Sequence, residues 1–256
     1  MLLRRVIEHL RTQNWTAVAL DFCIVVIGVF IGIQLGNWNA ARADRVRAHA
    51  YLERIAGEMD ADIANYRDKL KFWDEVYDYG VKGLAYADAG DTSGLSPWRL
   101  VVAYFQSSQV AEFYPANSTY EELKSAGELR LIANTELREA LTQYYRAAIN
   151  PIITERPPYR MHVRGVIPLD VQSYIWNHCY LTDADYQRFV DCKSPISEIE
   201  ARTIADAIAH DRPLMNELRY WASTMVIVMK FGTASLERAE EMRRTIGEEL
   251  GERRRT

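Results

Sequence analysis

From Thr16 to Gly36 the chain reads TAVALDFCIVVIGVFIGIQLG, an unbroken apolar stretch whose one charge is Asp21. Trp15 and Trp38 bracket it, and their 23-residue separation covers ~34 Å as a helix, close to a ~30 Å hydrocarbon core plus a little interface. Tryptophan suits that boundary, because its ring is apolar while its N–H can stay hydrated. The pattern predicts a transmembrane helix over residues 15–38, after a short basic tail over 1–14 and before a helical body over 39–256. A cleaved signal peptide is the rival reading, since Ala41-Arg42-Ala43 has the small-x-small form of a cleavage site. The apolar run is long for such a peptide, and the polar Asn37-Trp38-Asn39 ending favours a retained anchor.

Within the apolar run Gly28, Gly32 and Gly36 recur every four residues, and Asp21 and Ala17 fall near the same azimuth at 3.6 residues per turn. One stripe thus gathers the small residues and the single charge. Helices associate in lipid by close backbone approach and polar contacts, both of which this stripe permits. Asp21 is costly against acyl chains, so the stripe is expected to face another transmembrane helix, from a second copy or another protein. Cys23 is expected to be a small packing residue.

Beyond Trp38 the pattern changes to an amphipathic period. Leu52, Ile55, Met59, Ile63, Tyr66, Leu70, Trp73, Val76 and Tyr77 recur at steps of mostly three and four, with no proline from Ala40 to Ala89. The anchor is therefore expected to run on as one helix into the body. Ser96-Pro97 opens a helix to about Phe113, and Asn117-Ser118-Thr119 precedes Glu121 and Glu122 at capping-box spacing, with that helix ending near Gly127. Asn134-Thr135 opens another, stopped by Pro151. Pro157-Pro158 marks a break before an apolar segment ending near Trp176, Thr182-Asp183 caps a short helix, and Ser194-Pro195 begins the next. Pro213 to Leu250 carries one long helical pattern. Strand signatures are scarce, and the fold class is all-α: a transmembrane helix continuing into an extramembrane bundle.

Charge refines this picture. Arg4, Arg5, Arg11 and Arg42 against Glu8 and Asp21 make residues 1–43 basic, and the rest of the −4 chain is acidic without a long basic run. That argues against nucleic acid as a partner and leaves the bilayer and another membrane helix. Bases flank both helix ends, so their count does not orient it. A short basic tail before the first apolar stretch has the layout of a signal-anchor, with the tail inside and the body outside. Cys179 and Cys192 lie thirteen apart across a turn-containing stretch. They could close a disulfide, which would need an oxidising compartment, or remain two buried thiols.

No phosphate loop, nucleophile elbow, CxxC pair or HExxH helix occurs, and no cofactor, metal or catalytic residue is predicted. The acids near His178, namely Asp183, Asp185 and Asp191, with the two cysteines, make a plain or disulfide-closed loop a better reading than a zinc site. Glu58, Asp60 and Asp62 read as a solvated helix face. Arg156, Arg160, His162 and Arg164 flank Pro157-Pro158 and bring guanidiniums together in an acidic body, a candidate anion-binding patch. The plainer reading pairs them with acids such as Glu155. Arg253-Arg254-Arg255 suits the negative end of a helix.

The blocks Thr12-Gln13-Asn14-Trp15, Gly28-Val29-Phe30-Ile31-Gly32-Ile33-Gln34 and Asn37-Trp38-Asn39 resemble the start of an uncharacterised family of bacterial single-pass membrane proteins. Tyr120-Glu121-Glu122-Leu123-Lys124-Ser125-Ala126-Gly127 is similar to a further segment of that family. The resemblance implies a bacterial inner-membrane location and carries no activity. Three functions remain: a non-enzymatic interaction or scaffold module, an extracytoplasmic ligand sensor passing a signal through the anchor, and a membrane-tethered hydrolase.

Overall fold

The computed structural model describes residues 15–92, 94–147, 156–183 and 186–251, with side chains from residue 19 onward. The described residues are all-α apart from one short hairpin. In chain order they form α1 (Trp15–Ala89), α2 (Pro97–Gln106), α3 (Ser118–Ser125), α4 (Thr135–Ala147), α5 (Pro158–Val166), α6 (Leu169–His178), α7 (Glu198–Ala209) and α8 (Arg212–Glu249). Strands β1 (Tyr180–Thr182) and β2 (Gln187–Phe189) pair antiparallel between α6 and α7. Contacts divide the chain into two units, Met1–Tyr51 and Leu52–Thr256.

In the first unit α1 is apolar around its circumference from Phe22 to Leu35, broken only by Gln34, and its large side chains from Leu20 to Trp38 are 48–69% exposed. No protein core covers this stretch, and it is the one helix among the described residues long and apolar enough to cross a membrane.

In the second unit α1 becomes one-sided. Leu52, Ile55, Met59, Tyr66, Trp73 and Val76 are buried, while Glu53, Arg67 and Asp74 stay outside. Helix α2 is the most enclosed element, with every residue but Arg99 buried. Ser96 starts it by accepting from the Arg99 N–H, with proline at the first turn. Ala201 and Ala205 of α7 are fully buried, and α7 packs closely against α2. Gly83 performs the same service on α1: its carbonyl accepts from Tyr104 of α2 at 2.8 Å, and an added Cβ would lie 2.7 Å from that ring. Helix α8 packs along α4, α5 and α7.

Three local expectations fail for identifiable reasons. Helix α2 stops at Gln106 rather than near Phe113, because Ser107 and Ser108 turn their hydroxyls back onto Tyr104 O and Phe105 O. Thr182-Asp183 opens no helix. Asp183 instead accepts from the Tyr186 N–H at 3.0 Å and closes the hairpin turn. The helix expected from Ser194-Pro195 begins later, capped by Ser197 in a capping box with Glu200. Helix α3 ends as expected near Gly127, whose φ of +68° lets Glu128 and Gly127 donate back to Leu123 O and Lys124 O.

Candidate functional site

The glycine stripe occupies one side of α1. Asp21 is exposed, and added Cβ atoms at Gly28, Gly32 and Gly36 would meet nothing within 4 Å. Trp38 is exposed and Cys23 is a free, exposed thiol. The side chains of Trp15 and Ala17 lie outside the described residues, as do the 1–14 tail, Pro151, Glu155, Asp185 and Arg253-Arg254-Arg255.

Cys179 and Cys192 are joined in a disulfide, their Cα atoms 5.1 Å apart. The bridge ties the ends of the hairpin segment, and α2 holds both of its backbones: Gln106 donates to Cys179 O and Trp98 to Cys192 O. On the other side of the hairpin, Phe189 stacks on Phe72 of α1. Among the described residues no group of histidines, cysteines and acids forms a metal-binding cluster.

The candidate anion patch separates into two faces. His162 points to Glu217 of α8, 2.8 Å away, and Arg156 lies 4.0 Å from Glu112. Arg160 and Arg164, one turn apart on α5, instead close the end of α2. Arg160 donates to Ser108 O at 2.7 Å and to Gln109 Oε1 at 3.2 Å. Arg164 donates to Ser108 Oγ and to the same Gln109 oxygen, and its guanidinium lies against the rings of Phe105 and Trp176. Burial, then the charge of Arg160, lowers the Arg164 pKa to about 10. Among the described residues no carboxylate pairs with either arginine; the partial negative charge of the α2 C-terminus stands in for one. Both cations retain unused N–H donors, so an oxyanion at their outer edge would be held by charge-assisted bonds.

The acidic group on α1 differs most from its expected form. Only Asp60 is a solvated surface acid, bonded to Arg243. Glu58 reaches α3 and accepts from Ser118 Oγ, Thr119 N and Thr119 Oγ1 at 2.6–2.8 Å, capping that helix from another element while Asn117 makes no side-chain cap. Asp62 is 2% exposed and accepts from the Ala116 N–H and the Tyr144 hydroxyl. Burial pushes its carboxyl pKa up, and these two bonds act the other way. Burial likewise raises the Tyr144 phenol, and the Asp62 charge adds to the effect.

The same face of α1 continues through Asn65 to Lys69, giving a polar line at helical spacing inside the body. Part of this line opens on a cleft of about 750 Å³, which Asp62, Asn65 and Lys69 share with Tyr114, Tyr186 and Arg188. A second cleft, of about 520 Å³, lies between α4 and α8, with Leu137, Tyr144 and Met242 giving apolar walls and Arg146, Arg238 and Glu241 giving charge. No family model, curated protein or solved structure matches this chain.

Proposed function

We propose that the chain is a membrane-anchored helical interaction or scaffold module, working through its contacts rather than through chemistry of its own. The observation that carries this reading is the exposed apolar surface of α1 from Leu20 to Trp38, on a helix that continues without a break into the buried core of the Leu52–Thr256 unit. Such a surface is unfavourable in water and favourable among lipid tails. The glycine stripe with Asp21 offers a second membrane helix a close approach and a polar contact. The placement we favour is a bacterial inner membrane crossed once, in keeping with the resemblance of residues 12–39. The Cys179–Cys192 disulfide supports a body on the periplasmic side, where thiols are oxidised.

Two measurements test this. Unprocessed full-length chain should sediment with membranes and stay in the pellet until detergent is added; recovery in the detergent-free supernatant refutes the anchor. Replacing Gly28 and Gly32 by leucine should weaken association in a membrane oligomerisation assay, and unchanged association refutes the stripe as an interface. A second reading, in which the body senses a ligand, draws on the polar cleft at Lys69.

A further inference from the structure

Lys69 is 8% exposed, and among the described residues no hydrogen-bond acceptor or ion-pair partner meets its ammonium. Buried charges are normally paired, because an unpaired one forfeits hydration without return. Burial lowers the Lys69 pKa, and Asp68 opposes this only by attraction through space. Lysines often solve the problem by carrying the ammonium into bulk water on a long stem. The Lys69 stem is enclosed, and its tip meets solvent only inside a cleft. That cleft, of about 750 Å³, is within the size range of small-molecule sites.

The cleft carries both signs of charge. Lys69 and Arg188 line it with Asp62, Asp68 and Glu112. Arg188 lies over the Tyr186 ring, and Glu112 accepts from Tyr114 and lies near Arg156, while among the described residues Lys69 has no hydrogen-bond or ion-pair partner. Asn65, one turn before Lys69, leaves its Oδ1 without a donor among the described residues. Tyr114, Pro115 and Tyr186 add apolar surface. A simple dianion is disfavoured by the three acids, and a simple amine by Lys69 and Arg188.

We propose that this cleft binds a small zwitterion of the amino-acid type, its carboxylate meeting Lys69 and its ammonium meeting the acidic side of the cleft. The proposal deepens the sensor reading. It uses only residues of the Leu52–Thr256 unit, so its failure and the failure of the anchor test are separate results.

The test is thermal unfolding of the full chain in detergent, at fixed ionic strength and neutral pH. The probes are L-phenylalanine, 3-phenylpropionate, which lacks the amine, and phenethylamine, which lacks the carboxylate. Phenylalanine should raise Tm saturably, by roughly 3–6 °C at ten times Kd, with phenylpropionate giving less and phenethylamine nothing saturable. Lys69→Met should abolish the rise, yet unfold at or above the wild-type temperature in buffer, because methionine keeps much of the volume and removes an unpaired charge. The proposal is overturned by no saturable rise with phenylalanine, by a rise that survives in Lys69→Met, or by either partial probe matching phenylalanine. A Lys69→Met chain that unfolds well below the wild type also overturns it, since Lys69 would then have a structural partner.

Discussion

Gly232 on α8 lies against Trp73 of α1, and replacing it by alanine is the sharpest test of the packing. The new Cβ would stand 2.7 Å from Trp73 Cζ3 and 3.0 Å from Leu70 Cδ2. Carbon atoms rest ~3.5–4.0 Å apart, so the ring or the helix must move by about 1 Å. The ring has little freedom to do so, being 2% exposed with its indole N–H donating to Ala111 O at 3.2 Å. Overpacking of this kind costs ~1–3 kcal/mol, and weakening the indole bond adds up to ~1 kcal/mol. Replacing a helix-interior glycine returns ~1 kcal/mol. The net is a loss of ~2 kcal/mol, or about 4–8 °C in Tm for a unit of this size. Gly57→Ala on α1 is the matched control, because nothing lies within 4 Å of its added Cβ. That change should raise Tm by about 1–4 °C through the unfolded state. Circular dichroism melts of both variants decide the matter. If Gly232→Ala melts at or above Gly57→Ala, the account of the α1–α8 contact is wrong.

Two further outcomes follow from buried polar groups and the bridge. Because the folded Asp62 pKa is raised, its favourable contribution is full below the ordinary carboxylate range and is lost as pH rises through the folded value. Asp62→Asn should therefore gain on the wild type as pH climbs from about 4 to 7, and a Tm difference flat with pH contradicts this. Reducing the Cys179–Cys192 bridge, or replacing both cysteines by serine, should cost ~3 kcal/mol by loop entropy, read as a lower urea midpoint. An unchanged midpoint would remove the bridge from the account of stability.

The parts of the fold legible in the sequence are those where one local rule acts alone. The step of three and four from Leu52 to Val76 marks the buried face of α1, since Ile55, Met59, Tyr66 and Trp73 are all enclosed. Gly127 marks the end of α3 because few other residues take its backbone angle without strain. The sequence reading of Glu58 and Asp62 as a solvated face fails because helical amphipathicity assumes that polar positions face water. Their partners are Ser118, Thr119, Ala116 and Tyr144, at least 54 residues away, and no spacing rule reaches them. The hairpin escaped notice because three-residue strands are too short to alternate, and because an Asp that can cap a helix can equally close a turn. For the arginines, i,i+4 spacing on α5 does separate Arg160 and Arg164 from His162. What they grip, the end of α2, is a tertiary fact.

The enclosure of α2 bears on how the chain is made. Its run Leu100-Val101-Val102-Ala103-Tyr104-Phe105 is uncharged, proline-free and rich in strand-favouring residues, the composition of segments that self-associate when left bare. Helix α7, which packs closely over it, leaves the ribosome roughly a hundred residues later, about 5–20 s at ordinary elongation rates. During that interval the segment lacks the cover that α7 gives it in the folded unit, and α1, already synthesised, is the element that can shelter it.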